Sequence, residues 1–208
     1  MPEQYHFSPG VALMVAGFDS AEDHAAAVAP IRAALPPTVD FVTPIPYTAL
    51  QQMLDDSAPW GALGYEKALS LDEFSDAAID VVVDQFPRKT SPMSFLPIFA
   101  MSGAFRDVAD EDSAYGGSRS AGWMINIAAV AADPEAFAAD RAWARAFWNA
   151  LRPYASGTGS YVNFMTDYGD EERVRAAYGP VKYARLAAIK SKYDPDNVFH
   201  RNANIRPA

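Results

Sequence analysis

The chain has 208 residues, half of them apolar and 12% aromatic, which is enough to bury a core and excludes a disordered chain. A formal net charge of −9 argues against a basic, phosphate-binding surface, so no nucleic-acid partner is expected. With no cysteine there is no disulfide, thiolate metal site or cysteine nucleophile, and His6, His24 and His200 are too far apart in sequence to suggest a metal site. The sequence shows neither a signal-peptide pattern nor an apolar run of transmembrane length, so a soluble, cytoplasmic chain without a membrane partner is expected.

Taken in order, residues 1–10 read as a loose lead-in. The apolar run 11–17 reads as a buried strand. Ser20, with Asp23 three residues on, reads as a helix cap. Pro30 predicts a kink or a late start in the helix that follows. Residues 39–45 alternate as a strand, and Pro46 opens a short helix to Leu54. Residues 60–69 alternate again, with Leu63, Tyr65, Lys67 and Leu69 on one face. Lys67 is either a lysine snorkelling at a sheet edge or a charge facing a ligand cavity.

The run Ser70-Leu71-Asp72-Glu73 has the form of a capping box before a helix carrying Phe74, Ala78, Ile79 and Val82. Residues 93–101, broken by Pro97, predict an edge or bulged strand. Residues 103–108 read as a short strand, and 109–120 as a polar, Gly-rich loop whose Asp110-Glu111-Asp112 is solvated. Residues 122–131 form a long apolar run around Asn126, a buried amide that must find partners. Asp133-Pro134-Glu135 is a strong helix start, followed by a stripe of Phe137, Ala144, Phe147, Trp148 and Leu151 with Trp143 off it. Gly157 and Gly159 flank a turn, and 161–165 reads as a strand. Asp170 caps a helix to Tyr178. Gly179-Pro180 then breaks the chain before a last helix with Leu186 and Ile189 buried.

The middle strands follow one another without helices between them, so they pair antiparallel. The expected fold is α+β: a mainly antiparallel sheet with helices packed mostly on one face. The chain contains no nucleophile-elbow, phosphate-loop or dinucleotide-loop motif. Residue chemistry alone reaches Tyr161, Asn163 and Lys67 as polar groups on mainly apolar strands, and no reaction.

Tyr161-x-Asn163-Phe164, followed by Tyr193-Asp194-Pro195-x-Asn197-x-Phe199-x-x-Asn202-x-Asn204-Ile205, resembles the berberine-bridge-enzyme-like family of FAD-linked oxidoreductases in its bacterial form. Pro46-Tyr47-Thr48-x-Leu50-Gln51, Tyr65-x-Lys67, Arg119 and Asn126-Ile127 carry a weaker likeness upstream. The resemblance implies a substrate-binding domain over 1–155 and a C-terminal berberine-like segment over 156–208, with the family's FAD-binding domain lying outside this chain. It implies flavin contacts by Tyr161, Asn163, Asn202 and Asn204, substrate contacts by Tyr65, Lys67 and Asn126, and no metal. The implied partners are an FAD-binding domain in cis or trans and a small organic substrate. In better-known relatives a tyrosine that acts as base follows the Y-x-N motif; here the position is Phe164, which has no proton-accepting group. Tyr65, or a tyrosine of the flavin domain, is then the candidate base. FAD binding by this chain alone is not expected. The competing expectation is a stand-alone, non-catalytic binding module that forms a homodimer through an uncovered apolar face.

Overall fold

The computed structural model describes residues 3–5, 10–55, 59–156, 161–166 and 171–208. His6, the turn expected at Gly157 and Gly159, and the Asp170 cap lie outside them. The chain divides into two compact units, Met1–Pro59 and Trp60–Ala208.

In the first unit, helix α1 (Ala21–Ala34) starts where the serine signal placed it: the Ser20 hydroxyl accepts from the Asp23 amide at 3.1 Å. It starts early and continues past Pro30. Helix α2 (Tyr47–Gln52) follows Pro46, its N-cap. The strands expected at 11–17 and 39–45 are irregular segments. A strand exists through ladder bonds to a neighbour, and neither segment has one among the described residues. Asp40 also turns the second segment locally. Its carboxylate pairs with Arg32 at 2.6 Å and accepts from the Val42 amide at 3.0 Å.

In the second unit, β1 (Leu63–Leu71) runs antiparallel to β3 (Trp123–Ala131), from Leu63 opposite Ala131 to Leu71 opposite Trp123. Strand β2 (Ile98–Ala100) lies on the other edge of β3, giving the order β1-β3-β2. Helix α5 (Pro134–Leu151) covers one face of this sheet. Its Trp143, Ala144, Phe147 and Leu151 pack against Tyr65, Leu69, Leu71, Ile125, Ile127 and Ala129. The Asp133 cap forms as the sequence predicts, accepting from the Ala136 amide at 2.9 Å. The fold is α+β with an antiparallel sheet.

Local signals mislead in four places. Ser70 and Leu71 belong to β1, because pairing with β3 overrides the apparent capping box; Ser75 caps α3 (Asp76–Gln85) instead. Residues 103–108 form a single helical turn, α4 (Ala104–Asp107), entered through Gly103 at φ +56°. Trp143 is buried, since its indole N–H reaches the Gln85 carbonyl at 2.8 Å where α5 meets α3. Ile189 is exposed, and α7 (Pro180–Tyr193) buries Lys182, Tyr183 and Ala187. Helix α6 (Glu171–Tyr178) and α7 surround a second core made with Val162 and Met165. Among the described residues no helix is long and apolar enough to cross a membrane.

Two buried charges hold loops in place. Asp140 on α5 is fully buried and accepts from the Thr90 amide and hydroxyl at 2.7 Å, the Ser91 amide at 3.0 Å and the Ser94 hydroxyl at 2.5 Å. Burial acts to raise its pKa, but these bonds outweigh burial and hold it below the usual aspartate range. Lys182 donates to the Tyr115 carbonyl at 2.8 Å and pairs with Asp110 at 3.2 Å, while Arg185 donates to the Glu111 carbonyl at 2.9 Å. The acidic cluster expected to be merely solvated is therefore fastened to α7.

Asp140→Asn is expected to cost about 3 kcal/mol in urea denaturation at neutral pH, because buried donors lose their charged acceptor. The sign with pH follows from a depressed native pKa. The Asp140 contribution is complete above the ordinary aspartate value of about 4 and is lost as pH falls through the lower native value. The variant should therefore lose less stability on acidification than the parent chain. Lys182→Met should speed hydrogen exchange at the Val162 amide, which donates to the Gly116 carbonyl at 3.0 Å, while costing only about 1 kcal/mol of global stability.

Candidate functional site

The segment expected as a strand at 161–165 is a 3-10 turn over Val162–Phe164. Only its end joins the sheet. Met165 bridges to Lys67 on the outer edge of β1, the Thr166 amide reaches the Glu66 carbonyl, and the Thr166 hydroxyl accepts from the Glu66 amide at 2.8 Å. The alternation of side chains expected of a strand is lost with the extended backbone. The Phe164 ring meets Tyr161 edge-on at 5.2 Å, and the Asn163 amide donates to the Tyr161 hydroxyl at 2.7 Å.

An aromatic row extends from this turn. Tyr161 stacks on Tyr115 at 5.0 Å, Tyr115 meets Phe105 edge-on at 5.2 Å, and Phe164 stacks on Phe99 at 6.2 Å. The Arg119 guanidinium lies over Phe105 and Tyr115, at 4.8 and 5.1 Å, and donates to the Phe105 carbonyl. A Cβ on Gly116 would come within 2.8 Å of the Tyr178 ring and 2.9 Å of Val162, so only glycine lets the loop lie this close to the turn. Burial, and then Tyr161, raise the Tyr115 and Tyr178 phenols above the usual range, which makes both neutral donors rather than bases. Sequence reasoning missed Tyr115 and Gly116. The available signal was an aromatic residue beside a glycine pair in an otherwise polar loop.

The tail motif brings its asparagines to this turn by backbone chemistry. Asp194 pairs with Lys190 and accepts from the Val198 and Phe199 amides at 2.8 and 3.1 Å, while Asn197 takes a left-handed φ of +52°. Its Lys190 pairing holds the Asp194 carboxyl below the usual range. The chain then reaches Asn202, also left-handed at φ +58°, a conformation in which asparagine is favoured. Asn163 and Asn202 line one cavity of about 350 Å³ with Val162, Tyr178, Arg201 and Ala203. Two residues on, the side-chain oxygen of Asn204 is buried with no hydrogen-bond partner among the described residues.

The expected substrate trio is divided by the sheet. Tyr65 and Lys67 face α5: the Tyr65 hydroxyl accepts from Arg145 at 3.0 Å, and the Lys67 ammonium lies 4.5 Å from the Trp148 ring centroid. Asn126 lies on the other face beside Glu66, and its carbonyl oxygen is buried without a partner among the described residues. Burial raises the Glu66 pKa, and the neighbouring Asn126 amide only partly offsets this. Alternation along β1 puts Glu66 and Ser70 on the more polar face, opposite Leu63, Tyr65, Lys67 and Leu69.

Asn163 keeps its carbonyl oxygen after donating to Tyr161, and Asn204 holds an unmet acceptor. These neutral amides suit the N–H and carbonyl edge of a flavin ring. Among the described residues that line the cavity, Arg201 is the one cation, and the rest offer no phosphate cradle. No cluster of histidine and carboxylate side chains among the described residues has the arrangement of a metal site.

Residues 160–206 match the family model described as berberine and berberine like. Over 173 residues the chain is 26% identical to an FAD-linked oxidoreductase of Dictyostelium discoideum, covering 82% of this chain and 37% of that protein. It thus spans little more than a third of that relative. The crystal structure of 6-hydroxy-D-nicotine oxidase from Arthrobacter nicotinovorans superposes with a TM-score of 0.73 at 16% identity, over 91% of this chain and 43% of that one. A berberine bridge enzyme variant superposes with a TM-score of 0.58 at 17% identity, over 71% of this chain and 33% of that one. These structures share the fold. The tail thus matches the berberine and berberine like model, and the longer stretch is similar to an FAD-linked oxidoreductase.

Proposed function

We propose that this chain is the substrate-domain portion of an FAD-dependent oxidoreductase, with 1–155 as substrate domain and 156–208 as berberine-like segment. The observation that carries the reading is the meeting of the two motif pieces. Asn163, on the turn laid against β1, and Asn202, on the tail, line one polar cavity. On this reading Tyr161, Asn163, Asn202 and Asn204 contact the flavin ring, which supplies hydride-accepting chemistry when bound. The sheet face that carries Asn126 lines the substrate pocket. Tyr65 and Lys67, packed beneath α5, support that sheet from behind. Phe164 contributes shape and no proton transfer.

A second reading, a non-catalytic association module, draws on the outer edge of β2. Among the described residues no strand pairs there, and Ile98 and Phe99 are partly exposed. It predicts a stable homodimer in light scattering and no flavin-dependent turnover in any reconstitution.

Titration of the chain alone with FAD should give a dissociation constant weaker than about 1 μM, since the sequence carries no dinucleotide-loop or phosphate-loop motif. Sub-micromolar binding would sink the proposal. Adding an FAD-binding portion in trans should restore flavin binding. In that assembly Asn163→Ala should weaken flavin retention about tenfold, the scale of one lost hydrogen bond, read from flavin fluorescence on dilution.

A further inference from the structure

Residues directly opposite one another in an antiparallel pair share a face. Glu66 is opposite Ala128, and Ala128 is bridged on its other side to Phe95. Asn126 and Met124 lie on this same face, and Phe99 stands opposite Met124. Phe99 stacks on Phe164, which brings a third ring to the group. Phe95 and Phe99 are 40% and 39% exposed, so the rings are available for contact.

The polar groups at the centre of this face are acceptors. Glu66 is a half-buried carboxylate, and the side chain beside it is a neutral amide, not a cation. That amide, Asn126, is 2% exposed, and its oxygen has no hydrogen-bond partner among the described residues. The nearby cations are engaged on the opposite face: Lys67 lies over Trp148, and Arg141 and Arg145 lie over Tyr65. A buried acceptor without a donor is unfavourable, and so is a half-buried carboxylate with no counter-charge among the described residues. Both deficits are met by one kind of group, a cation with several N–H donors.

We propose that this face binds ligands carrying a protonated amine on an aromatic body, the ammonium taken by Glu66 and the Asn126 oxygen and the ring lying among Phe95, Phe99 and Phe164. That the ligand is the enzyme's substrate rests on the proposed function; the binding itself does not. An anionic ligand would meet two acceptors and a chain of net charge −9, so it is selected against.

The test uses the full chain and three probes of one shape: benzylamine, protonated at neutral pH, benzyl alcohol and benzoate. Affinity is read from the Asn126 side-chain amide signals in NMR. Benzylamine should bind about tenfold more tightly than benzyl alcohol, and benzoate more weakly than either. Glu66→Gln should erase the preference for the amine, whereas Phe99→Ala should weaken benzylamine and benzyl alcohol alike. Equal binding of the three probes by the unaltered chain, or an amine preference that survives in a folded Glu66→Gln variant, overturns the proposal. No FAD is present in this experiment. An amine preference with failed flavin reconstitution therefore removes the proposed function alone, and restored flavin without amine preference removes this inference alone.

Discussion

The antiparallel pairing of β1 with β3 is the constraint on which the site depends. Its register sends Tyr65, Lys67, Leu69 and Leu71 to α5 and leaves Glu66 and Asn126 on the other side. Because side chains alternate, a slip of one residue would exchange the two sets entirely. The apolar mass of α5, with Phe147 and Leu151 fully buried against the strands, is what forbids the slip. The polar face is thus specified indirectly: its residues stand where they do because their neighbours must be buried.

The same economy explains the C-terminal motif. Asp194 satisfies the amides beyond α7, Asn197 and Asn202 occupy left-handed backbone positions, and Gly116 permits a close approach. These are backbone reasons for residue identity, although the Asn197 side-chain oxygen is also buried without a hydrogen-bond partner among the described residues. Asn163 and Asn204 are different. One is an exposed amide on a short turn and the other has a buried, unmet acceptor, and no backbone requirement accounts for either. The motif therefore combines two kinds of residue, those that shape the turn and those that remain available once it is shaped.

What could be read from the sequence follows the range of the forces involved. The Asp133 cap, the Gly179-Pro180 break and the apolar run around Asn126 are local signals, and each formed as expected. The segments 11–17 and 39–45 have strand composition but depend on a partner, which composition cannot supply. Ser70 satisfies a local capping rule and is overruled by a ladder bond to a residue some fifty positions away. The approach of Asn163 to Asn202 depends on the two helices between them, α6 and α7, so only the family resemblance pointed to it. Glu66 was legible from alternation alone, since it stands between Tyr65 and Lys67 and so faces away from α5.

Phe164 changes what kind of chemistry the face can offer. A phenylalanine there stacks on Phe99 and closes the aromatic row without contributing a proton acceptor. The two phenols nearest the turn do not replace it, since burial shifts both Tyr115 and Tyr178 toward the neutral form. Tyr65 does not replace it either, because its hydroxyl is turned to Arg145 beneath α5. On the Asn126 side of the sheet, Glu66 is the carboxylate that a cationic ligand would meet: burial raises its pKa, and a cation placed beside it would lower it again. Electrostatic selectivity on this face then comes from the position of one carboxylate relative to one amide, and both positions are set by strand register.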